Sequence, residues 1–581
     1  MPLFLAVFLA LSALTSWILY EIFVASKFSP LQKIAGPPSK GFTGNLSRIL
    51  DPVCSAKAHE IYVKKYGRSI RIRGIVPWDE RLLTLDPLSV QHVLKNSTIY
   101  EKPWQSRTLI TSLIGCGMLS AEGNIHKRQR RVATPAFSIQ NLRELVPLVF
   151  DKGNQLKDKW VGIISNGPQT CGGSSARLDV CHWISRATFD VIGIAGFDYH
   201  FNAIQDESNE LFLAYKEMFE VAISQGSPWR TMLTIYLPWF NTIFPDQRQR
   251  IVKRCQSTIR RVAGKLIQEK KRKIEEAANY GKIYGGKDLL SLLLKSNASN
   301  DLAPENRISD EDILHNINTF MFAGSDTSSL SLTWTLYLLA QNPDMQTRLR
   351  NELLPIAPTT PISDLTEEEI QSLHNSLSNL PYLHNVTRES LRLIPPVHSS
   401  IRVATQDDEV PTMYPVYGRN GAIIEGKRSV TVPKGSFIHV AVEGFNLDKE
   451  MWGEDAWEFN PDRWDVLPEE AQELPGLFSN TLTFSAGPRV RLYFLPSFYD
   501  SGLTVMQSCI GMRFSMIEIK TFLYILLTHF AFTPTEEKIN RVNVVLTRPF
   551  VSKRYKEGSQ LPLIVRRLDS ETNQSKVSPS A

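Results

Sequence analysis

Cysteine is scarce in this chain, and its placement is uninformative. Six occur in 581 residues, Cys54, Cys116, Cys171, Cys181, Cys255 and Cys509, and none has the paired spacing of a zinc knuckle or a dithiol centre. An even count permits disulfides, but the length of the chain and the scatter of the thiols suggest a reduced, cytosol-facing protein. Glycine/serine linkers and internal repeats are also missing, which argues for one large folded body rather than a string of modules. The formal net charge is only +6, too small to suggest nucleic acid as a partner. What the chain has in quantity is apolar side chains: 43% of residues against 21% charged, enough for a sizeable core.

The apolar residues are concentrated first at the start. Leu3 to Tyr20 is almost wholly apolar, and Ile22 to Ala25 extends the run past Glu21. Roughly 20 such residues span a bilayer as a helix. No basic start precedes the run, as a secretory signal would require, whereas Lys27, Lys33 and Lys40 follow it and place the rest of the chain on the cytosolic side. Ala35-Gly36-Pro37-Pro38 then stops any helix and forms a stiff hinge. The divisions expected are an anchor at 1–25, a hinge at 26–40, a folded domain at 41–568 and a polar tail at 569–581.

Two helices can be placed by their ends. Ser309 and Asp312 have the spacing of a capping box, Ile313, Leu314, Ile317, Phe320 and Met321 follow with helical period, and Asn342-Pro343 closes the segment. The spacing predicts a helix from there to about Ala340, carrying Ala323-Gly324-Ser325-Asp326-Thr327 at its middle. A second helix opens at Pro381 and stops before Pro395-Pro396, with Glu389 and Arg392 one turn apart on one face.

Near the C-terminus, Thr483-Phe484-Ser485-Ala486-Gly487-Pro488-Arg489 breaks off into eighteen residues, Val490 to Gln507, and the chain resumes at Ser508-Cys509-Ile510-Gly511. Valine codons begin GT and one glutamine codon ends AG, so the segment can begin and end like an intron, and an intron retained in the coding sequence is the expectation. A surface loop is the alternative, since long insertions add little closure entropy. With the segment removed, the spacing becomes Phe-x-x-Gly-x-Arg-x-Cys-x-Gly. That joined spacing resembles the haem-ligand loop of the cytochrome P-450 family. The remaining motifs, from roughly Gly36 to Arg567, fall in the order of its fungal-type, microsomal members.

The resemblance implies a mainly α fold with a small β subdomain, preceded by an N-terminal transmembrane helix. It implies a haem cofactor held by the Cys509 thiolate, an axial ligand that favours dioxygen cleavage. Arg130, Arg402 and Arg489 would reach the haem propionates with their forked donors. His126 stands where the family commonly has tryptophan, and would add a further donor. Ala323 and Gly324 would let the helix open locally and leave room for dioxygen, with Thr327 as the hydrogen-bonding hydroxyl and Asp326 as a carrier of protons. A buried helix whose threonine bonds back to its own carbonyls leaves the same pattern. Phe459-Asn460-Pro461-Asp462-Arg463-Trp464 resembles another family segment, whose Arg463 would complete a buried Glu389–Arg392–Arg463 network.

The function so implied is that of a monooxygenase hydroxylating a lipophilic small molecule, a terpenoid, steroid or aromatic. No dinucleotide fingerprint occurs in the chain, so electrons would come from a separate NADPH-dependent reductase, drawn to Lys127, Arg128 and Arg131. The expected location is the endoplasmic reticulum membrane, by a single span. A haem protein of the same fold that does not activate dioxygen, or a chain disabled by its interrupted loop, are the alternatives.

Overall fold

The computed structural model describes residues 8–9, 12–17, 19–20, 28–39, 44–74, 79–166, 174–206, 208–223, 230, 243–280, 285–299, 302–472, 474–476, 478–485 and 508–568. Arg489, the interruption at 490–507, the tail at 569–581 and much of the expected anchor lie outside these residues. Among the described residues no helix is long and apolar enough to cross a membrane. The chain forms two compact units, one of residues 1–103, 397–458 and 467–508, the other of residues 104–396, 459–466 and 509–581. Each is built from several stretches of chain, which is why no linker marks a boundary in the sequence.

The first unit is organised around a five-stranded sheet. Its strands are β1 (Ser69–Arg73), β2 (Glu80–Thr84), β3 (Tyr100–Glu101), β4 (Ser400–Ala404) and β5 (Phe437–Val440), in the order β1-β2-β5-β4-β3. β2 and β5 run parallel, with Arg81 opposite Phe437, and the other pairs are antiparallel. All five residues of β2 are buried, as expected of a strand covered on both faces. Helix α1 (Ser55–Tyr66) lays Ala58, Tyr62 and Val63 against Ile70, Ile72 and Leu83. It ends at Gly67, whose φ of +76° only glycine adopts freely, and where a Cβ would stand 2.6 Å from the Tyr417 ring. His59 of α1, His439 of β5 and nearby His398 are enclosed in this unit. Both ring nitrogens of His59 and of His439 lack hydrogen-bond partners among the described residues.

The second unit is helical. In chain order its principal helices are α2 (Trp104–Ile114), α3 (Gly123–Ala133), α4 (Val180–Phe197), α5 (Gln247–Asn279), α6 (Asp310–Gln341), α7 (Pro381–Leu393) and α8 (Met512–His529). The Ser309–Asp312 capping box forms as its spacing predicts, and α6 ends just ahead of Pro343. α7 begins on Pro381 and stops two residues before Pro395, again as the prolines require. α6 runs through the core with α4 and α8 packed on it. A small antiparallel sheet places Pro562–Arg567 between Ser175–Asp179 and Phe530–Pro534, and a hairpin pairs Ile539–Val544 with Leu546–Val551.

Candidate functional site

From Asn316 to Ala340, α6 is buried at every residue except Phe322, Ala323, Gly324, Asp326, Thr327 and Tyr337. Five of those six fall within Phe322–Thr327, the least enclosed stretch of that part of the helix. The helix is unbroken there. The Thr327 hydroxyl donates to the Ala323 carbonyl at 2.7 Å, so its backbone ladder is reinforced rather than opened. Gly324 faces α4, where a Cβ would lie 2.8 Å from Ile192 Cδ1; the missing side chain lets the two helices approach. Thr188 of α4 takes advantage of this closeness and donates to the Ser325 carbonyl at 3.1 Å. Asp326 is held by Arg548 of the Leu546–Val551 strand in an ion pair with both side chains largely buried.

Cys509 sits immediately before α8. The residue is exposed, although many protein atoms lie near its sulfur. Burial pushes the thiol up in pKa, and three features oppose it: the Gly511 and Met512 amides at the N-terminal end of α8, and the Arg130 guanidinium. Backbone N–H groups and the positive end of a helix dipole stabilise a sulfur anion. Gly511 has φ −86°, which any residue adopts, and a Cβ there would touch nothing closer than the Cys509 sulfur at 4.0 Å. Its smallness keeps the space beside the thiol open. A soft sulfur ligand beside two backbone amides, with a guanidinium near it, suits an iron porphyrin bearing anionic propionates.

Arg130 and His126 lie four residues apart on α3, on one face, and both are partly buried. Lys127, Arg128 and Arg131 of the same helix keep accessible surface. Arg402 is on β4 in the first unit, buried, with Nη1 donating to Ser400 Oγ at 2.7 Å and to the Ile401 carbonyl at 3.0 Å. Glu389, Arg392 and Arg463 meet. Arg392 donates from Nε and Nη2 to the two Glu389 oxygens at 2.9 and 2.7 Å, and Arg463 Nε reaches Oε1 at 3.2 Å. Two donors that spacing did not reveal complete the cage: Trp464 Nε1 at 3.1 Å and the Asn460 amide at 3.2 Å. All three charged residues are buried, so the carboxylate is paired and hydrogen-bonded on every side the unit offers.

Sequence reasoning also missed Glu518. It lies on α8, fully buried, beside the Ser328 hydroxyl of α6, and neither carboxyl oxygen has a hydrogen-bond partner among the described residues. Burial pushes its pKa up to about 8, so at neutral pH it is held largely as the acid. The signal that could have found it is a glutamate in an otherwise apolar run, Met516-Ile517-Glu518-Ile519.

A family profile described as Cytochrome P-450 matches residues 36–491. Cytochrome P-450 monooxygenase 128 of Postia placenta is 35% identical over 571 residues, covering 96% of each chain. Monooxygenase 205 of the same fungus is 35% identical over 563 residues, covering 95% of this chain and 96% of its own. A ganoderic acid synthetase of Ganoderma lucidum is 31% identical over 545 residues, 90% of this chain and 91% of its own.

Proposed function

Given that this chain belongs to the cytochrome P-450 family and is a monooxygenase, we propose that it hydroxylates a lipophilic small molecule of terpenoid type at a haem held by Cys509. The observation that carries the assignment of the ligand is the exposed Cys509 ahead of α8, with the Gly511 and Met512 amides and Arg130 near its sulfur. Haem, when bound, supplies the oxygen activation. The protein's own residues do the rest. The Gly511 and Met512 amides and Arg130 favour the anionic sulfur, against the burial that raises the thiol's pKa. Arg130, with His126, Arg402 and Arg489, is assigned to the propionates. Thr327 is assigned the hydroxyl at the site, to be released from the Ala323 carbonyl, and Asp326 passes protons to it once its pairing with Arg548 relaxes. The terpenoid class is favoured by the ganoderic acid synthetase among the relatives.

Electrons come from an NADPH-dependent reductase that docks on the basic residues of α3. An N-terminal span anchors the chain in the endoplasmic reticulum membrane. Supporting the anchor, Phe8, Leu9, Leu14, Trp17, Leu19 and Tyr20 are exposed where that segment is described. The family profile stops at residue 491, two residues into the interruption, which favours reading Val490–Gln507 as extraneous to the working loop.

The deciding experiment is the reduced, carbon monoxide difference spectrum of the full chain and of a form lacking Val490–Gln507. A thiolate-type band from both makes the segment a tolerated loop, and a band from the shortened form alone makes it a retained intron. No band from either removes Cys509 as the ligand. In the competent form, Thr327→Ala should raise peroxide released per reductant consumed; unchanged coupling would overturn its role.

A further inference from the structure

Glu518 stands in the middle of an apolar face of α8. Phe514, four residues before it, and Phe522 and Ile525, four and seven after, share that face, and all of them are buried, Glu518 completely. α8 packs on α6, whose Ser328 hydroxyl is the polar group beside the carboxyl. The charges that meet α8 lie elsewhere on it. Lys520, two residues on and so on the other side of the helix, gathers Arg388 and Glu352 and bears on His374 and His384, with Arg143 behind His374. Arg350 donates to the Leu527 carbonyl, and Lys157 and Asp158 of the Val146–Asn166 helix face His529 at the end of α8. Lys152 of that helix is bonded to Gln155, and Asp326 of α6 is turned to Arg548.

Among the described residues none of these charges bears on Glu518, whose proton is governed by burial, which raises its pKa, and by Ser328, which opposes that rise. A carboxyl in this setting stays uncharged at neutral pH, because no cation offsets the loss of water around the carboxylate. α8 nevertheless carries it close to the ligand cysteine. Glu518 is six residues, roughly 9 Å along the axis, from Met512, whose amide favours the Cys509 anion.

We propose that Glu518 tunes the entry of the first electron: as the acid it places no charge against that electron, and where it is ionised the electron and a solvent proton enter together. This rests on the assignment of haem to Cys509. In the coupled step one electron passes from the reductase to the haem iron and one proton from solvent to a Glu518 oxygen, and no other bond is made or broken. Two unit charges about 12 Å apart, at the effective dielectric of a protein interior, shift each other's equilibrium about tenfold. Reduction should therefore tighten the Glu518 proton about tenfold. By the same linkage, ionised Glu518 should disfavour reduction tenfold, about 59 mV for a one-electron couple.

Spectroelectrochemical titration of the haem-loaded protein from pH 6 to 9 tests this. The midpoint potential should be level at low pH and fall in the region of pH 8, where Glu518 ionises. Glu518→Gln has the shape of the acid form and should hold the low-pH potential throughout. Ser328→Ala removes the hydroxyl that favours the carboxylate, so it should move the fall to higher pH. Infrared spectra of the same samples should contain a protonated carboxyl band at pH 7 that Glu518→Gln lacks. The same pH dependence in parent and Glu518→Gln, a fall unmoved by Ser328→Ala, or no such band overturns the proposal. The carbon monoxide spectrum separates the two assignments. A sample without the thiolate-type band removes the haem reading and this proposal with it, whereas a sample that has the band and shows matching potentials in parent and variant removes this proposal alone.

Discussion

Arg548 and Asp326 form an ion pair across 222 positions of sequence, with side chains 8% and 14% exposed. The pair joins the C-terminal hairpin to the residue next to Thr327, so Asp326 is oriented by a partner outside its own helix. Arg548→Ala leaves a mostly buried carboxylate without its counter-charge. A loss of about 3 kcal/mol in denaturant-measured stability is expected, with most of it recovered in the Arg548→Ala, Asp326→Asn double variant. Additive losses would mean that the pair does not couple.

Glu389 accepts from Arg392, Arg463, Trp464 and the Asn460 amide, and its loss would strand two buried guanidinium groups. Glu389→Ala is expected to cost at least about 3 kcal/mol and to lower the yield of folded chain. Thermal denaturation checks this. A variant within about 0.5 kcal/mol of the parent would contradict the network's structural role.

The first unit should weaken in acid. Burial pulls the pKa of His59 to about 4, of His398 to about 4 and of His439 to about 3. Each is neutral when folded and takes up a proton more readily when unfolded. Their contribution is therefore full above pH 6.5 and is lost as pH falls through the folded values, on the order of 3 kcal/mol for a single fully buried ring. His59→Phe should flatten the decline between pH 6.5 and 4 in urea midpoints; an unchanged slope would refute the assignment.

Glu518 should act in the opposite direction. Its folded pKa of about 8 exceeds the unfolded value of 4.5, so its contribution is full below pH 4.5 and is lost as pH rises through 8. Glu518→Gln should gain stability over the parent progressively from pH 5 to 9. The same midpoints serve as the check, and a gain at pH 5 equal to that at pH 9 would argue against a titrating carboxyl.

Gly444 lies against the His59 ring, where a Cβ would approach Cγ to 2.8 Å. Gly444→Ala is expected to cost about 1–3 kcal/mol by overpacking. His59→Ala should relieve that cost when combined with it, which a double-variant cycle would measure.

Local spacing carried much of this structure. The ends of α6 follow from Ser309, Asp312 and Pro343, and those of α7 from Pro381 and Pro395, because caps and prolines act within a turn of where they stand. The Glu389–Arg392 contact was likewise legible, being one helical turn apart. The Arg463 contact required a second motif, and Trp464 entered only because it follows Arg463 around a short 3-10 turn that brings both to one carboxylate.

Residue order by itself determined the apolar N-terminal run, the limits of the central helices, the cysteine that precedes α8 and the presence of an acid–alcohol pair at Asp326 and Thr327. Tertiary structure alone decided what those groups do at rest. Thr327 closes onto Ala323, Asp326 is claimed by Arg548, Gly324 serves the approach of α4, and Glu518 is buried beside Ser328 of α6. The division has a physical cause. Caps and helical repeats depend on interactions a few residues long, whereas ionisation, pairing and exposure depend on which distant segments exclude water from a side chain.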